Sequence, residues 1–132
     1  MTNLSKKIGN MDFDGFITDI TPKTEVRGKT IRKLDKESVL VKGTVLAISS
    51  GTAGDGKLVV LGETAKSNET LTPDCILCDD VLVGTENDVN VPVYTAGCFN
   101  PDKIVVKSEY ELTANDYDTL RKYGIVFKAI SK

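Results

Sequence analysis

Histidine and tryptophan are absent from the 132-residue sequence. Without histidine the chain lacks the commonest general base, the usual partner of serine and cysteine nucleophiles, and the commonest metal ligand. Most hydrolase and metalloenzyme designs are therefore excluded, and we expect a protein that is not an enzyme and that has no cofactor. Aromatic residues make up only 6% of the chain, which argues against a surface that stacks on nucleic-acid bases.

An excess of positive charge and long apolar runs are also missing. The net charge of −2 is the opposite of what a protein that neutralises many phosphates carries, so no nucleic-acid partner is expected. The apolar runs, such as residues 58–61, fall far short of the roughly 20 residues that cross a membrane, and residues 1–7 lack the apolar stretch of a signal peptide. Three cysteines, an odd number, then predict reduced thiols in a cytoplasmic compartment.

The composition of the chain changes near residue 38. Residues 1–38 carry eight basic and six acidic side chains, a net charge of +2, and residues 39–132 carry −4. Apolar residues are sparse in the first part, which cannot bury enough apolar surface by itself to offset the entropy of ordering. We therefore predict a flexible N-terminal arm over residues 1–38 and a β-rich domain over residues 39–132. A tail without function is the alternative, although residues 24–34 have a composition typical of a strand at a sheet edge.

Short β-type runs occur throughout the second part. They cover residues 39–41, 44–48, 57–61, 75–78, 89–96, 104–106 and 125–130. Residues 49–56 are rich in glycine and predict the turn of a hairpin, because glycine and aspartate tolerate positive φ. Pro92 indicates that its run lies at an edge, at a bulge or at the start of a strand.

One helix is predicted between the last two runs. Thr113 and Asp116 have the spacing of a capping box, Tyr117 and Leu120 share a face, and Gly124 is a typical end. The fold class is therefore mainly β or α+β: a compact strand-rich single domain with one short C-terminal helix and an extended N-terminal arm.

Two motifs match the spacing of functional sites but not their context. Residues 51–57 have the spacing of a phosphate-binding loop, but Leu58 opens a β-run where a helix should begin. Cys75 and Cys78 have the C-x-x-C spacing, but a structural zinc site needs four ligands and a redox pair needs a helix N-terminus. Residues three apart on a strand point to opposite faces, so we predict small buried side chains. No catalytic or metal-ligating set remains.

Four segments resemble, in the same order, motifs of one protein family. They are LVKGTVLA at residues 40–47, TPDCILCDDV at 72–81, VPVYTAGCFN at 91–100 and LRKYGIV at 120–126. These segments are similar to motifs of the phage lambda-type head decoration proteins, the small trimeric capsid-stabilising proteins of tailed phages. The resemblance extends over roughly two thirds of the chain, and several motifs in the right order are more specific than any one of them. The segment before residue 39 is longer than in that family.

The resemblance implies a β-tulip-like domain that forms a homotrimer on the outer surface of the expanded capsid head. The partner would be the phage major capsid protein, the virion would be stabilised against internal DNA pressure, and assembly would take place in the host cytoplasm. It also implies that the N-terminal segment orders on the capsid. The candidate capsid-binding residues are Phe13, Phe16, Ile17, Ile20, Val26, Arg27, Lys29, Ile31, Arg32, Lys33 and Leu34. The alternative is a monomeric β-rich module that binds a ligand or a peptide, without a membrane partner in either case.

Overall fold

The computed structural model describes residues 15–129. Within them lie nine strands, one 3-10 turn and one α-helix, joined by loops. The strands are β1 (Ile17–Asp19), β2 (Glu25–Ile31), β3 (Ser38–Leu40), β4 (Val45–Ser50), β5 (Leu58–Val60), β6 (Thr70–Leu77), β7 (Val81–Val83), β8 (Val89–Phe99) and β9 (Ile125–Phe127). The 3-10 turn Pro101–Lys103 and the helix α1, Ala114–Lys122, lie between β8 and β9. The predicted strand-rich fold with one helix near the C-terminus is confirmed.

Five of the strands close into a barrel. β8 pairs antiparallel with β2 and with β6, β6 pairs with β4, and β4 pairs with β5. β5 closes the ring by a parallel contact with β2, where Leu58 lies opposite Ile31. The 11-residue β8 extends past the barrel, and its end pairs with β1 on one side and β9 on the other. The predicted hairpin through residues 49–56 is confirmed by the antiparallel pairing of β4 with β5.

The barrel wall is buried on both faces, which explains the continuous apolar runs of its strands. Along β4, Val45 and Ala47 belong to one hydrophobic cluster and Leu46 belongs to the other, and all three are fully buried. The inner core is formed by Ile31, Leu46, Leu58, Cys75, Leu77, Val83, Val91 and Val93. The outer core is formed by Phe16, Val45, Ala47, Val59, Leu61, Ile76, Phe99, Leu120 and Ile125. The strands of the barrel therefore contribute twelve of these seventeen core residues.

Smaller elements cover the two cores. β3 and β7 pair with each other as a separate two-stranded sheet, and this sheet contributes Val83 to the inner core. α1 contributes Leu120 to the outer core, and its start has the predicted capping box between Thr113 and Asp116. Gly124 follows the helix with a φ of 96°, as expected for a glycine that ends a helix. Within the described residues, no helix has the length and apolar character needed to cross a membrane.

Residues 15–38 belong to the folded body, which differs from the expectation of a separate arm over residues 1–38. β2 has seven register pairs with β8, Ile31 is fully buried in the inner core, and Phe16 is only 2% exposed in the outer core. The segment has too few apolar residues to fold by itself, and its pairing with β8 supplies the contacts that it needs. Because both cores use side chains from it, deletion of residues 1–38 would open both cores. Residues 1–14 lie outside the described residues.

Candidate strand-pairing site

The predicted capsid-binding residues have three different environments. Phe16, Ile17, Ile31 and Leu34 are buried in or packed against the two cores; Lys29 and Arg32 form ion pairs within the chain; and Ile20, Val26, Arg27 and Lys33 are exposed. Phe13 lies outside the described residues. Phe16 and Ile31 fill the cores of their own chain, so in this fold their side chains are not on the surface that a partner would meet.

Arg32 has a structural role that its charge alone did not reveal. Its guanidinium donates two hydrogen bonds to Asp55, at 2.9 and 3.0 Å, and one to Glu69 at 2.5 Å. Glu69 also accepts hydrogen bonds from the backbone N–H of Lys66 and from the hydroxyl of Ser49. These donors, with the Lys66 N–H first, lower the pKa of the buried Glu69 carboxyl to about 2. We call this set the Arg32 clasp, because it ties β2 to the turns on either side of β5.

Along part of β2 the backbone presents an edge that no strand within residues 15–129 pairs with. Cys78 donates its N–H to the carbonyl of Pro92 at 3.1 Å, so the backbone groups of Pro92 point towards β6 and away from β2. Gly28 lies opposite Pro92, which makes the two a non-hydrogen-bonded pair. The N–H and C=O of Gly28 therefore point away from β8. Because strands alternate with a period of two, those of Val26 and Thr30 do the same.

This side of β2 remains open over most of the strand. β5 meets β2 only at Ile31, and no other described strand pairs with that side of β2. Val26 is 55% exposed, and a Cβ placed on Gly28 would meet nothing within 4 Å. We call the outward N–H and C=O groups of Val26 and Gly28, together with the N–H of Thr30, the open edge, because the C=O of Thr30 faces Leu58 in the contact with β5. It is a template on which another extended segment can form a β-ladder.

A depression of about 270 Å³ lies beside the open edge. It is lined by Glu25, Arg27, Lys29, Asp74, Thr95 and Tyr123. Lys29 and Asp74 satisfy each other in an ion pair of 2.7 Å. Arg27, in contrast, has no ion pair with any described residue, and the buried hydroxyl Oγ1 of Thr95 has no hydrogen-bond partner there. The depression thus retains a cation and a hydroxyl that a ligand can use.

The motifs that resembled reactive sites are structural. Cys75, Cys78 and Cys98 are buried free thiols, as predicted. Burial raises the pKa of Cys75, and it raises that of Cys78 to about 11, which disfavours the reactive thiolate. No three histidine, cysteine, aspartate or glutamate side chains among residues 15–129 are grouped so as to hold a metal ion. Residues 51–57 form the turn before β5, with φ of 90° at Gly51.

Comparison with known proteins gives the chain no assignment. No model of a known protein family matches it, and no curated protein sequence is significantly similar to it. The open edge and the depression are therefore the features from which a function can be inferred. Of their residues, Val26, Arg27 and Lys29 were predicted, but Asp74, Thr95 and Tyr123 come from distant parts of the sequence and were not. Gly28 carried a signal, since a glycine within a strand often marks a close approach of another backbone.

Proposed function

We propose that the protein is a non-enzymatic decoration protein, which binds the outside of an expanded phage capsid as a homotrimer and stabilises the head against internal DNA pressure. The observation that carries the proposal is the open edge of β2. Added strands gain affinity from main-chain hydrogen bonds, and this kind of recognition needs no catalytic group. An extended segment of the major capsid protein is the proposed partner of the edge.

Charge supports a partner of acidic character. Arg27 and Lys33 are exposed on or next to β2, and Lys23 and Lys36 are exposed on the flanking turns. These side chains lie in the segment with the net charge of +2, whereas residues 39–132 carry −4. The small net positive charge of this segment, on an otherwise acidic protein, favours one orientation of approach to an acidic shell.

Three copies would convert a modest contact into a stable one. A single added strand forms few hydrogen bonds, and each of them contributes only about 1 kcal/mol net. When three edges are held in one trimer, binding of the first raises the effective concentration of the other two, so that the whole dissociates slowly. A trimer attached in this way bridges neighbouring capsid subunits and opposes their separation.

Substitution of Gly28 tests the proposal, with co-sedimentation on expanded heads as the measurement. Gly28→Pro removes an N–H of the open edge without removing a hydrogen bond to β8, because that N–H points outward. Gly28→Ala is the matched control, since it keeps the N–H and its methyl group enters open space. We expect Gly28→Pro to lose head binding and Gly28→Ala to retain it, with both proteins folded by circular dichroism. Equal binding of the two variants would contradict the proposal.

The depression favours a second candidate, a monomeric β-rich module that binds a peptide. The unused groups of Arg27 and Thr95 are typical of a site that fixes one side chain of a ligand. Light scattering at micromolar concentration, together with the sedimentation experiment, separates the two candidates. If the protein remains monomeric, does not bind expanded heads and does bind extended peptides, it is a peptide-binding module.

A further inference from the structure

We infer that the open edge of β2 selects an extended segment that carries an acidic side chain opposite Arg27, and that this side chain enters the depression. The inference rests on strand pairing at the edge, as in the proposed function, and it goes further by naming the side chain that is recognised. Three features carry the inference: the position of Arg27 on β2, the unused polar groups of the depression, and the backbone at Gly28.

Arg27 lies in the middle of the open edge. Its neighbours on either side, Val26 and Gly28, direct their backbone groups outward, so an added strand has to pass directly beside Arg27. Directly opposite residues in a sheet have Cβ atoms about 5 Å apart, within reach of an arginine side chain. Alternate side chains of the added strand face the side on which Arg27 lines the depression. One residue of the added strand is therefore held next to the guanidinium.

The free groups of the depression fit a carboxylate at that position. Arg27 can donate two parallel hydrogen bonds to a carboxylate, a geometry that a neutral side chain cannot use as well. The buried Thr95 hydroxyl, which has no partner among the described residues, offers a further donor. Lys29 does not compete for the ligand, because Asp74 already neutralises it at 2.7 Å.

Glu25 limits how much negative charge the depression accepts. It lines the same depression, but a register shift separates it from Val26, so it lies beyond the regular part of the ladder. A second carboxylate on the added strand would be repelled by Glu25, whose charge no ion pair within residues 15–129 neutralises. The site therefore suits one acidic side chain, at the position opposite Arg27, rather than a generally acidic segment.

Gly28 allows the added backbone to approach closely. Apart from Gly28 and its two chain neighbours, no atom of the described residues lies within 4 Å of the place where its Cβ would be, and its φ is not in the left-handed region. The residue next to the selected acidic side chain therefore meets no obstruction, and the ladder can continue past Arg27.

Two blocked peptides test the inference with the full-length protein. The first is acetyl-STVTETVTS-amide, and the second has glutamine in place of its glutamate. Backbone amide shifts of Val26, Gly28 and Thr30 report binding by NMR titration. We expect the glutamate peptide to bind about tenfold more tightly, since a hydrogen bond to a charged group is stronger than one to a neutral group.

Three variants test whether the preference for the glutamate peptide arises in the depression. Arg27→Gln should abolish it, and Lys33→Gln, which removes a nearby exposed cation outside the depression, should leave it intact. Thr95→Val, which keeps the shape of the side chain, should reduce it about threefold. Equal binding of the two peptides, binding of neither at millimolar concentration, or a preference that survives Arg27→Gln would each overturn the inference.

The outcomes distinguish this inference from the proposed function. If expanded heads bind the wild type but not Gly28→Pro, and the two peptides bind equally, the decoration function stands and the acidic selection fails. If the glutamate peptide is preferred and heads are ignored, the acidic selection stands and the decoration function fails.

Discussion

The two ends of β2 differ in what surrounds them, although their sequences look alike. From Val26 to Gly28 one side of the strand is open, whereas around Ile31 the strand meets β5 and the Ile31 side chain enters the inner core. Just beyond, Arg32 is held by Asp55 and Glu69. Basic and β-branched residues thus stabilise the fold at one end of β2, and in our proposal they contact a partner at the other. What distinguishes the two ends is β5, which lies more than 20 positions further along the chain.

The largest expected difference between the two ends is in stability. Ile31→Ala should lower the free energy of unfolding by about 3 to 4 kcal/mol, because it removes buried methyl groups and leaves a cavity in the inner core. Val26→Ala, on the open half, should change it by less than about 0.5 kcal/mol. Urea unfolding followed by circular dichroism measures both. Similar losses for the two variants would mean that the halves are equally enclosed.

Arg27 and Arg32 allow the two ends of β2 to be compared by the same substitution, which removes one positive charge in each case. Arg32→Gln should cost about 2 kcal/mol, since it leaves the buried Glu69 carboxylate without its cation. Arg27→Gln should leave the free energy of unfolding unchanged and weaken binding to expanded heads. Thermal unfolding and co-sedimentation of both variants check this, and a reversal of the two phenotypes would contradict the assignment of roles.

The Arg32 clasp should make the enclosed end sensitive to acid. In the folded protein the pKa of Glu69 lies at about 2, below its ordinary value of 4.5, because of its hydrogen bonds to Lys66, Ser49 and Arg32. The stabilisation is therefore fully present above about pH 4.5 and is lost as the pH falls towards 2. We expect Glu69→Gln to flatten this dependence in urea unfolding at several pH values. Glu111→Gln, at an exposed position, should keep the dependence of the wild type.

The smallest expected effect concerns Gly28. Gly28→Ala should raise the free energy of unfolding by about 0.5 kcal/mol, because a glycine in a strand loses more conformational entropy on folding than an alanine. Its Cβ would enter open space, so no clash offsets the gain. Thermal unfolding measures the change, and a clear loss of stability would show that the edge is more crowded than described.

Local sequence signals predicted much of the fold. The capping box at Thr113 and the hairpin of β4 and β5 depend on neighbouring residues, and both are confirmed. The burial of the cysteines followed from their context on strands. In contrast, residues 104–106 were predicted as a strand, but within them only Val105 forms a β-bridge, with Thr44. β7, which pairs with β3, was not predicted, because three residues carry too little periodicity.

Long-range pairing accounts for what the sequence did not reveal. β2 was assigned to an arm because its apolar content is too low for a core of its own, yet it pairs along its whole length with β8, about 60 positions away. The same holds for Lys29 and Arg32, whose acidic partners lie on distant turns and strands. Pro92 was expected at an edge, at a bulge or at the start of a strand. Pro92 instead lies inside β8. Its ring nitrogen, which cannot donate a hydrogen bond, faces the place where β6 ends and the pairing of β6 with β8 stops.

The seven register pairs that join β2 to β8 have a mechanical consequence. A strand attached along β2 and pulled parallel to it loads the whole ladder in shear, so that many hydrogen bonds have to break together. The same strand pulled sideways would separate one pair at a time. An attached strand should therefore withstand a much larger force parallel to β2 than perpendicular to it. The direction of the force would decide how firmly the strand is held.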